Sequence, residues 1–472
     1  MVGRNPLGWV TGRENCHGEY TGSSKPRIHE FSRIRGKFLQ DDAILPLESV
    51  AARQLVLQSG RTVLKPDQPN LRVLQLAPRA PWPLDTGAKL RNYHLARVIA
   101  EHATVSLLAF SEPGHDLPKA LSPYDEIETV PRNQSYSFGK LLQGAVGRTP
   151  LPLLNYTSEE MKQALTRTLV KNAFDIIQIE SIHLMNYLPV IRAAASRPLV
   201  ICDWHNIESD LMRQYAENES NVARKAYARR TARLLNDAER RALSEFDAHV
   251  LVSQNDADRL LKLNSGAQIH VIENGVDIGY HAATDEAKTK TRIVFVGSMD
   301  YHANIEAAIS FAKNVWPAVH QVRPEMSFTI VGRNPPSSVR QLTTVAGVEV
   351  TGSVDDVRPY YREAMMAVVP LNVGGGSRLK ILEAMAAGVP VVSTVLGAEG
   401  LQVKHRENIL ISNSDGELAS TIINLMTEPD LHAQIVFGGR RLVAARYDWS
   451  RLGSTLFDYY RQLLAERATT CP

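Results

Sequence analysis

The stretch VVPLNVGGGSRLKILEAMAAGVPVVS, residues 368–393, decides how the rest of the chain is interpreted. It begins with a largely apolar run, and the glycines at 374–376 permit backbone angles that other residues resist. Ser377 is a suitable N-cap for a helix that Gly388 and Pro390 would end. The pattern predicts a strand, a glycine loop, a helix and a second strand in succession.

The start of the predicted helix is suited to an anion. Free backbone N–H groups and the positive end of the helix dipole would face the loop, and Arg378 and Lys380 add cations in the first turn. Gly375, Gly376 and Ser377 are therefore candidate ligands of a phosphate or diphosphate. A tight turn without a ligand is the alternative, because glycines before a helix are often only that.

Glu383 lies farther along the same helix, about 9 Å from Ser377 at the usual helical rise. Its neighbours are mostly apolar, and an unpaired buried carboxylate costs several kcal/mol, so we expect a polar partner. The distance suits a ribose next to a diphosphate. An ordinary ion pair with Lys380 is the alternative.

The composition is that of an ordinary soluble globular protein, with 44% hydrophobic and 22% charged residues in a chain of 472. This length exceeds the usual size of one core and predicts two or three domains. A formal net charge of +3 gives no case for nucleic acid as a main partner.

The cysteines favour a reducing cytoplasm, because Cys16, Cys202 and Cys471 are far apart and show no metal-ligand or C-x-x-C spacing. No apolar run approaches the roughly 18 to 20 residues that span a bilayer. The first residues also lack the apolar core of a signal peptide. We therefore expect a cytoplasmic protein.

Alternating strand and helix patterns predict an α/β protein with two facing, doubly wound, Rossmann-like domains. Residues 1–70 are expected to be an extension, partly disordered and with or without a function of its own. The expected domains are residues 71–277 and 278–446, and residues 447–472 are expected to pack back as a helix. The predicted strands are 71–77, 103–110, 174–179, 198–204, 248–253, 292–296, 327–331, 348–351, 367–371 and 389–393.

A long basic helix is predicted at residues 219–243, which carry seven lysine and arginine residues. Such a helix is typical of contact with an anionic membrane surface. A solvated charged face is the commoner explanation and remains open.

Several candidate residues follow predicted strands and would share the carboxyl edge of their sheet, where ligands bind in such folds. Gly297 and Ser298 follow one strand of the second domain, and Gly332 and Arg333 follow the next. A glycine after a strand is also routine turn chemistry. Neither pair completes a G-x-G-x-x-G or P-loop motif, which argues against a dinucleotide dehydrogenase or an ATPase.

In the first domain, Gly87 and Asp85 follow the first strand, and His205 follows the strand at 198–204. All of them would reach the edge that faces the second domain. A histidine at this place is either a satisfied structural residue or a contact to the ligand, and the residues leave both open.

Three motifs resemble the retaining glycosyltransferases of family 4, whose two facing Rossmann-like domains form the arrangement called GT-B. They are LEAMAAGVPVV at 382–392, VIENGVD at 271–277 and VTGSV at 350–354. The likeness covers the chain from residue 71 onwards. The sequences FVGSMDY at 295–301 and DVRPY at 356–360 are most similar to bacterial exopolysaccharide-type members.

The resemblance implies roles for individual residues. Glu383 matches the glutamate that holds the donor ribose, and Arg378 and Lys380 match the diphosphate cations. His205 lies where the family contacts the transferred sugar. Further donor contacts are expected at Gly87, Gly297, Ser298, Gly352, Ser353 and Val354.

The chain departs from the family pattern in two places. The first of two family glutamates would fall at Gly375, and the usual basic residue after the first strand of the second domain is Ser298. Arg378 and Lys380 are the residues expected to replace the lost charge.

The leading hypothesis is a hexosyltransferase that moves a sugar from a nucleotide diphosphate donor to a glycan or lipid-linked acceptor with retention. No metal or other cofactor is expected, and a role in cell-surface polysaccharide synthesis at the inner face of the membrane would fit. A nucleotide-sugar 2-epimerase and a non-catalytic sugar-nucleotide binding or assembly protein are the alternatives.

Overall fold

The computed structural model describes residues 71–111, 122–132, 144, 147–282, 291–373 and 378–470. The expectations for residues 1–70 and for the glycine-loop ligands Gly375, Gly376 and Ser377 lie outside these residues.

The first half contains a seven-stranded parallel sheet with the order β3-β2-β1-β4-β5-β6-β7. Its strands are β1 (Leu71–Ala77), β2 (Ala103–Ser111), β3 (Glu126–Pro131), β4 (Ile176–Glu180), β5 (Leu199–Trp204), β6 (Ala248–Leu251) and β7 (Ile269–Val271). Its helices are α1 (Gly87–Ile99), α2 (Leu151–Asn155), α3 (Glu159–Lys171), α4 (Leu188–Arg192), α5 (Glu208–Asn218), α6 (Val222–Glu245) and α7 (Gln254–Leu263). The short helix α8 (Ile278–His281) follows and packs on the core of the second half.

The second half contains a six-stranded sheet with the order β10-β9-β8-β11-β12-β13, also parallel. Its strands are β8 (Arg292–Val296), β9 (Ser327–Val331), β10 (Val348–Gly352), β11 (Ala364–Val369), β12 (Val391–Ser393) and β13 (Leu410–Ile411). Its helices are α9 (His302–Ser310), α10 (Trp316–Val322), α11 (Ser337–Arg340), α12 (Arg358–Arg362), α13 (Leu379–Ala386), α14 (Asp415–Thr427), α15 (Pro429–Leu442) and α16 (Trp449–Thr470).

Two parallel sheets with helices on their faces confirm the predicted α/β class. The predicted strand positions are largely confirmed, but β3, β7 and β13 were missed. β3 is a short edge strand with alternating glutamates, and β7 and β13 have three and two residues, so none of them carries a long apolar run. The prediction for residues 367–371 was shifted, because the strand there is Ala364–Val369.

Helix α13 ends as the sequence predicts. Gly388 adopts φ +71°, a left-handed angle that glycine accepts without a Cβ clash. Its N–H donates to the carbonyl of Met385, and the Val389 N–H donates to that of Ala384 at 2.8 Å. These bonds form a Schellman motif, so the helix stops where the chain must turn into β12.

The last helix, α16, packs against the first sheet although it follows the second. Its residues Trp449, Leu456 and Tyr460 are buried in one apolar cluster with residues of β1, β2 and α1. The chain therefore crosses between the halves at two places, near Val276 and near Tyr447, where the Val276 N–H donates to the Tyr447 carbonyl at 2.8 Å.

The basic helix α6 buries one side and exposes the other. Ala228, Leu235 and Ala242 are on the buried side, whereas Arg229 and Arg233 are exposed. Among the helices in the described part of the chain, none combines the length and the hydropathy needed to cross a bilayer.

Candidate functional site

Glu383 has the polar partner that its apolar surroundings require. Tyr361 of α12 is 1% exposed, and its Oη donates to Glu383 Oε2 at 3.2 Å. Burial raises the pKa of Glu383, while the Tyr361 hydrogen bond and the nearby Lys380 charge oppose that rise. The carboxylate is thus desolvated, and one of its oxygens accepts a hydrogen bond from Tyr361.

Lys380 turns away from Glu383 and towards the end of β8. Its Nζ donates to Asn304 Oδ1 at 2.7 Å and lies 4.5 Å from the centroid of the Phe295 ring. A Cβ at Gly297 would come within 2.8 Å of this Nζ, so a larger residue there would shift the ammonium group from its present position. The alternative of an ordinary Lys380–Glu383 ion pair is therefore wrong.

The environment of Lys380 disfavours its charge. Burial is the largest cause, Arg378 adds repulsion, and Glu383 only partly compensates, which together lower the pKa of Lys380 to about 7. An anion bound beside the ammonium would reverse this by favouring the charged form.

The N-cap position of α13 is Arg378 and not the predicted Ser377, so Arg378 precedes the first helical turn; it is 5% exposed. Its Nη2 donates to the Leu396 carbonyl at 2.8 Å and lies 3.7 Å from Glu399 Oε2. Burial lowers the pKa of the guanidinium, with Glu399 acting against that change. The side chain is held in one position at the helix start.

The loops after β8 and β9 are joined to the loop after β1 by Arg333. Its Nε lies 3.2 Å from Ser298 Oγ and 3.1 Å from Asp300 Oδ2, and its Nη1 donates to Asp85 Oδ2 at 2.8 Å. Burial opposes ionisation of Asp85, but Lys89 and Arg333 together lower its pKa. This contact links the carboxyl edges of the two sheets.

His205 lies at the end of β5, and its Nε2 is 3.0 Å from Oε2 of Glu180, the last residue of β4. Glu180 and Asp203 are both 0% exposed. Asp203 is held by Arg91, which donates to its two oxygens at 2.8 Å and 3.0 Å. The histidine therefore has a buried acidic partner.

Glu180, Asp203 and His205 also have potential ligand atoms within 4.8 Å of one another, a spacing that a metal ion would accept. Both carboxylates already accept hydrogen bonds, Asp203 from Arg91 and Glu180 from Gln75 and Gln178. A cation would have to displace these donors, so the group fits a polar network better than a metal centre.

A cavity of about 450 Å³ opens between the two halves. His205 and Asn274 line it from the first half, and Arg378, Leu382 and Glu399 line it from the second. His205 and the start of α13, which were predicted to lie at facing sheet edges, therefore line the same cavity. Its size and concavity suit a small polar ligand.

The other predicted residues lie at the same edges but farther apart. Gly87 is the first residue of α1 and not part of a loop, which corrects the prediction. Gly352 ends β10, with Ser353 and Val354 after it, and β9 separates this strand from β8.

Sequence reasoning missed Tyr361, Asn304 and Glu180. Tyr361 and Asn304 come from helices with no motif that points to a ligand site. Glu180 had a signal, because a single acidic residue at the end of a mostly apolar parallel strand falls at the ligand edge.

Two facing doubly wound halves with a cationic helix start in the cleft form the arrangement called GT-B. The sequence model described as Glycosyltransferase Family 4 matches residues 86–280, and the one described as Glycosyl transferases group 1 matches residues 290–428. The chain therefore belongs to glycosyltransferase family 4.

Three known proteins resemble the chain at low sequence identity. A protein of 44.6 kDa in the cps region of Klebsiella pneumoniae is 20% identical, over 82% of this chain and 99% of its own. The GDP-mannose:cellobiosyl-diphosphopolyprenol alpha-mannosyltransferase of Xanthomonas oryzae pv. oryzae is 21% identical, over 61% of this chain and 74% of its own. The structure of sucrose-phosphate synthase from Thermosynechococcus elongatus matches with a TM-score of 0.62 at 17% identity, over 84% of this chain and 100% of its own.

Proposed function

We propose that this glycosyltransferase moves a hexose from a nucleotide diphosphate donor to a glycan or lipid-linked acceptor with retention of anomeric configuration. The observation that carries the proposal is the start of α13, where Arg378 lines an interdomain cavity and Lys380 and Glu383 follow within two helical turns, outside the cavity lining. The family models support transfer over the epimerase and binder alternatives.

Glu383 is proposed to accept hydrogen bonds from the ribose hydroxyls of the donor. Tyr361 holds one carboxylate oxygen, so the orientation of the group is set before the donor binds. Hydrogen bonds to a desolvated carboxylate are stronger than those to an exposed one. Gly352, Ser353 and Val354 are proposed to lie beside the base.

Lys380 and Arg378 are proposed to stabilise the leaving diphosphate. Charge accumulates on this group in the transition state, so fixed cations and backbone N–H groups there lower the barrier more than they tighten ground-state binding. Gly297 gives Lys380 room to reach the end of β8, where the family pattern has a basic residue and this chain has Ser298. Gly375, Gly376 and Ser377 remain proposed N–H donors to the same group.

The countercharge in this proposal comes from side chains, so no metal or other cofactor is assigned to the reaction. His205 is proposed to contact the transferred sugar, because it lines the cavity that Arg378 closes from the other side. Gly87 begins α1 at the edge of the first sheet, and its N–H is proposed to face the donor diphosphate or the acceptor.

The relatives support a place in polysaccharide assembly. One comes from a cps region, and another acts on a diphosphopolyprenol-linked cellobiose. We infer that the acceptor is a cell-surface glycan precursor and that the protein acts in the cytoplasm, where its basic helix α6 contacts the inner face of the membrane. The exposed Arg229 and Arg233 supply charge complementary to anionic lipids.

A calorimetric screen of UDP, GDP, TDP and ADP sugars against the full chain tests the function, followed by product analysis with lipid-linked glycans. We expect one donor to bind and its sugar to be transferred with the donor's anomeric configuration, read by NMR of the product. Conversion of the donor to its C2 epimer without acceptor would favour the epimerase. Binding without turnover across the acceptor panel would favour the non-catalytic protein.

A further inference from the structure

A closed set of hydrogen bonds surrounds the Glu180 carboxylate under the cleft. Its Oε1 accepts from Gln75 Nε2 at 2.6 Å and from Gln178 Nε2 at 2.7 Å. Its Oε2 faces His205 Nε2 at 3.0 Å and also accepts from the Asn92 side-chain nitrogen at 3.0 Å, in the amide orientation that the surrounding donors and acceptors require. The strand register explains the arrangement, because Gln75 of β1 lies opposite Gln178 of β4, two residues before Glu180.

Two tyrosines fix the orientation of these amides. Tyr124 Oη donates to Gln75 Oε1 at 2.5 Å, and Tyr460 Oη donates to Gln178 Oε1. Because the amide oxygens are used as acceptors, the amide nitrogens must turn towards Glu180. Tyr460 comes from α16, so the helix that crosses back from the second half helps to hold the carboxylate.

The arrangement determines which nitrogen of His205 carries the proton. The Asn92 side-chain nitrogen lies 3.0 Å from Glu180 Oε2 and 3.3 Å from His205 Nε2, so its better hydrogen bond goes to the carboxylate. A carboxylate that accepts these amide N–H groups also acts as an acceptor towards the ring, so Nε2 is the protonated nitrogen. In the neutral ring, Nδ1 then has a free lone pair and is the nitrogen left for a ligand in the cavity. His205 therefore presents an acceptor to the cleft.

We propose that Glu180 is a positioning residue for sugar recognition: it fixes the Nε2–H tautomer and the ring orientation of His205, whose Nδ1 accepts a hydrogen bond from a hydroxyl of the bound sugar. The role in recognition rests on the proposed transferase function. The tautomer itself depends only on the contacts of Glu180 and is measured separately.

The first test is NMR of the full chain labelled with ¹⁵N-histidine, in which the His205 ring is assigned through His205→Asn. The wild type is expected to show the Nε2–H tautomer. In Glu180→Gln, the new side-chain amide still accepts from Gln75 and Gln178 and turns its NH₂ to the ring, so His205 should change to the Nδ1–H tautomer. A wild-type ring in the Nδ1–H form overturns the proposal.

The second test is steady-state transfer. Glu180→Gln is expected to lower kcat about tenfold or more, as loss of an orienting partner commonly does, with the donor KM within about twofold. In a His205→Ala background the same change should cost less than about twofold, because the residue it positions is gone. A kcat for Glu180→Gln within about twofold of wild type overturns the proposal.

Thr329→Val is the matched control, since it removes one partly buried hydrogen bond, to Glu349, from the second sheet without changing side-chain shape. Its kcat should equal that of wild type. A wild type that transfers no sugar would defeat the proposed function, whereas the ring tautomer would still decide the claim about Glu180.

Discussion

At the scale of single residues, the donor side of the cleft depends on charges placed in unfavourable surroundings. Lys380 is packed against Phe295 and Asn304, and burial lowers its pKa to about 7. Glu383 is desolvated and its pKa is raised. The charge of neither group stabilises the fold, because burial disfavours the charged form of both. Such surroundings are typical of residues that bind a ligand.

The lowered pKa of Lys380 predicts a pH-dependent affinity for the donor. The diphosphate favours the charged form, which the free protein loses as pH rises through about 7, so affinity should fall between pH 6 and 9. Lys380→Arg keeps its charge at every pH and should flatten this dependence. Calorimetry measures the affinity of the wild type and of Lys380→Arg across this pH range. The ligand is a nucleotide sugar, whose diphosphate does not titrate in the range. Equal slopes for the two proteins would contradict the assignment.

At the scale of elements, the segments that could be predicted from the sequence are those with strong apolar periodicity or with glycine or proline at their ends. The strand ends, the helix α13 and its stop at Gly388 followed from local signals. β3, β7 and β13 did not, because such short strands at or near the sheet edges owe their pairing to neighbours.

The candidate site was predictable in part for the same reason. Arg378, Lys380 and Glu383 follow from one helix, and His205 from a strand end. Their partners do not: Tyr361, Asn304 and Glu180 meet these residues through tertiary packing across 22, 76 and 25 positions. No local pattern encodes a contact of that range.

Helix α6 carries the prediction about the membrane. Arg229→Glu with Arg233→Glu reverses charge on its exposed side and should weaken sedimentation with phosphatidylglycerol vesicles at least tenfold, since each basic residue near such a surface contributes about 1 kcal/mol. Lys162→Glu with Lys171→Glu on α3 is the matched control and should bind as wild type does. Equal binding by both double variants would assign α6 to a solvated face.

At the scale of the whole molecule, the two halves are connected by contacts that meet at the cleft. Arg333 joins Asp85 of the first half to Asp300 of the second, and α16 returns to the first sheet to place Tyr460 near the network around Glu180. A ligand in the cavity would touch both halves, so donor binding and the relative position of the halves are linked.

The central claim is that the start of α13 holds the nucleotide of the donor, and the affinity of Glu383→Gln for UDP and GDP, measured by calorimetry, tests it most directly. For whichever nucleotide binds the wild type, the variant should bind about ten to a hundred times more weakly, because hydrogen bonds to a charged group contribute about 1.5–3 kcal/mol. Glu363→Gln, an exposed glutamate next to α12, is the control and should bind normally. An unchanged affinity in Glu383→Gln would contradict the claim.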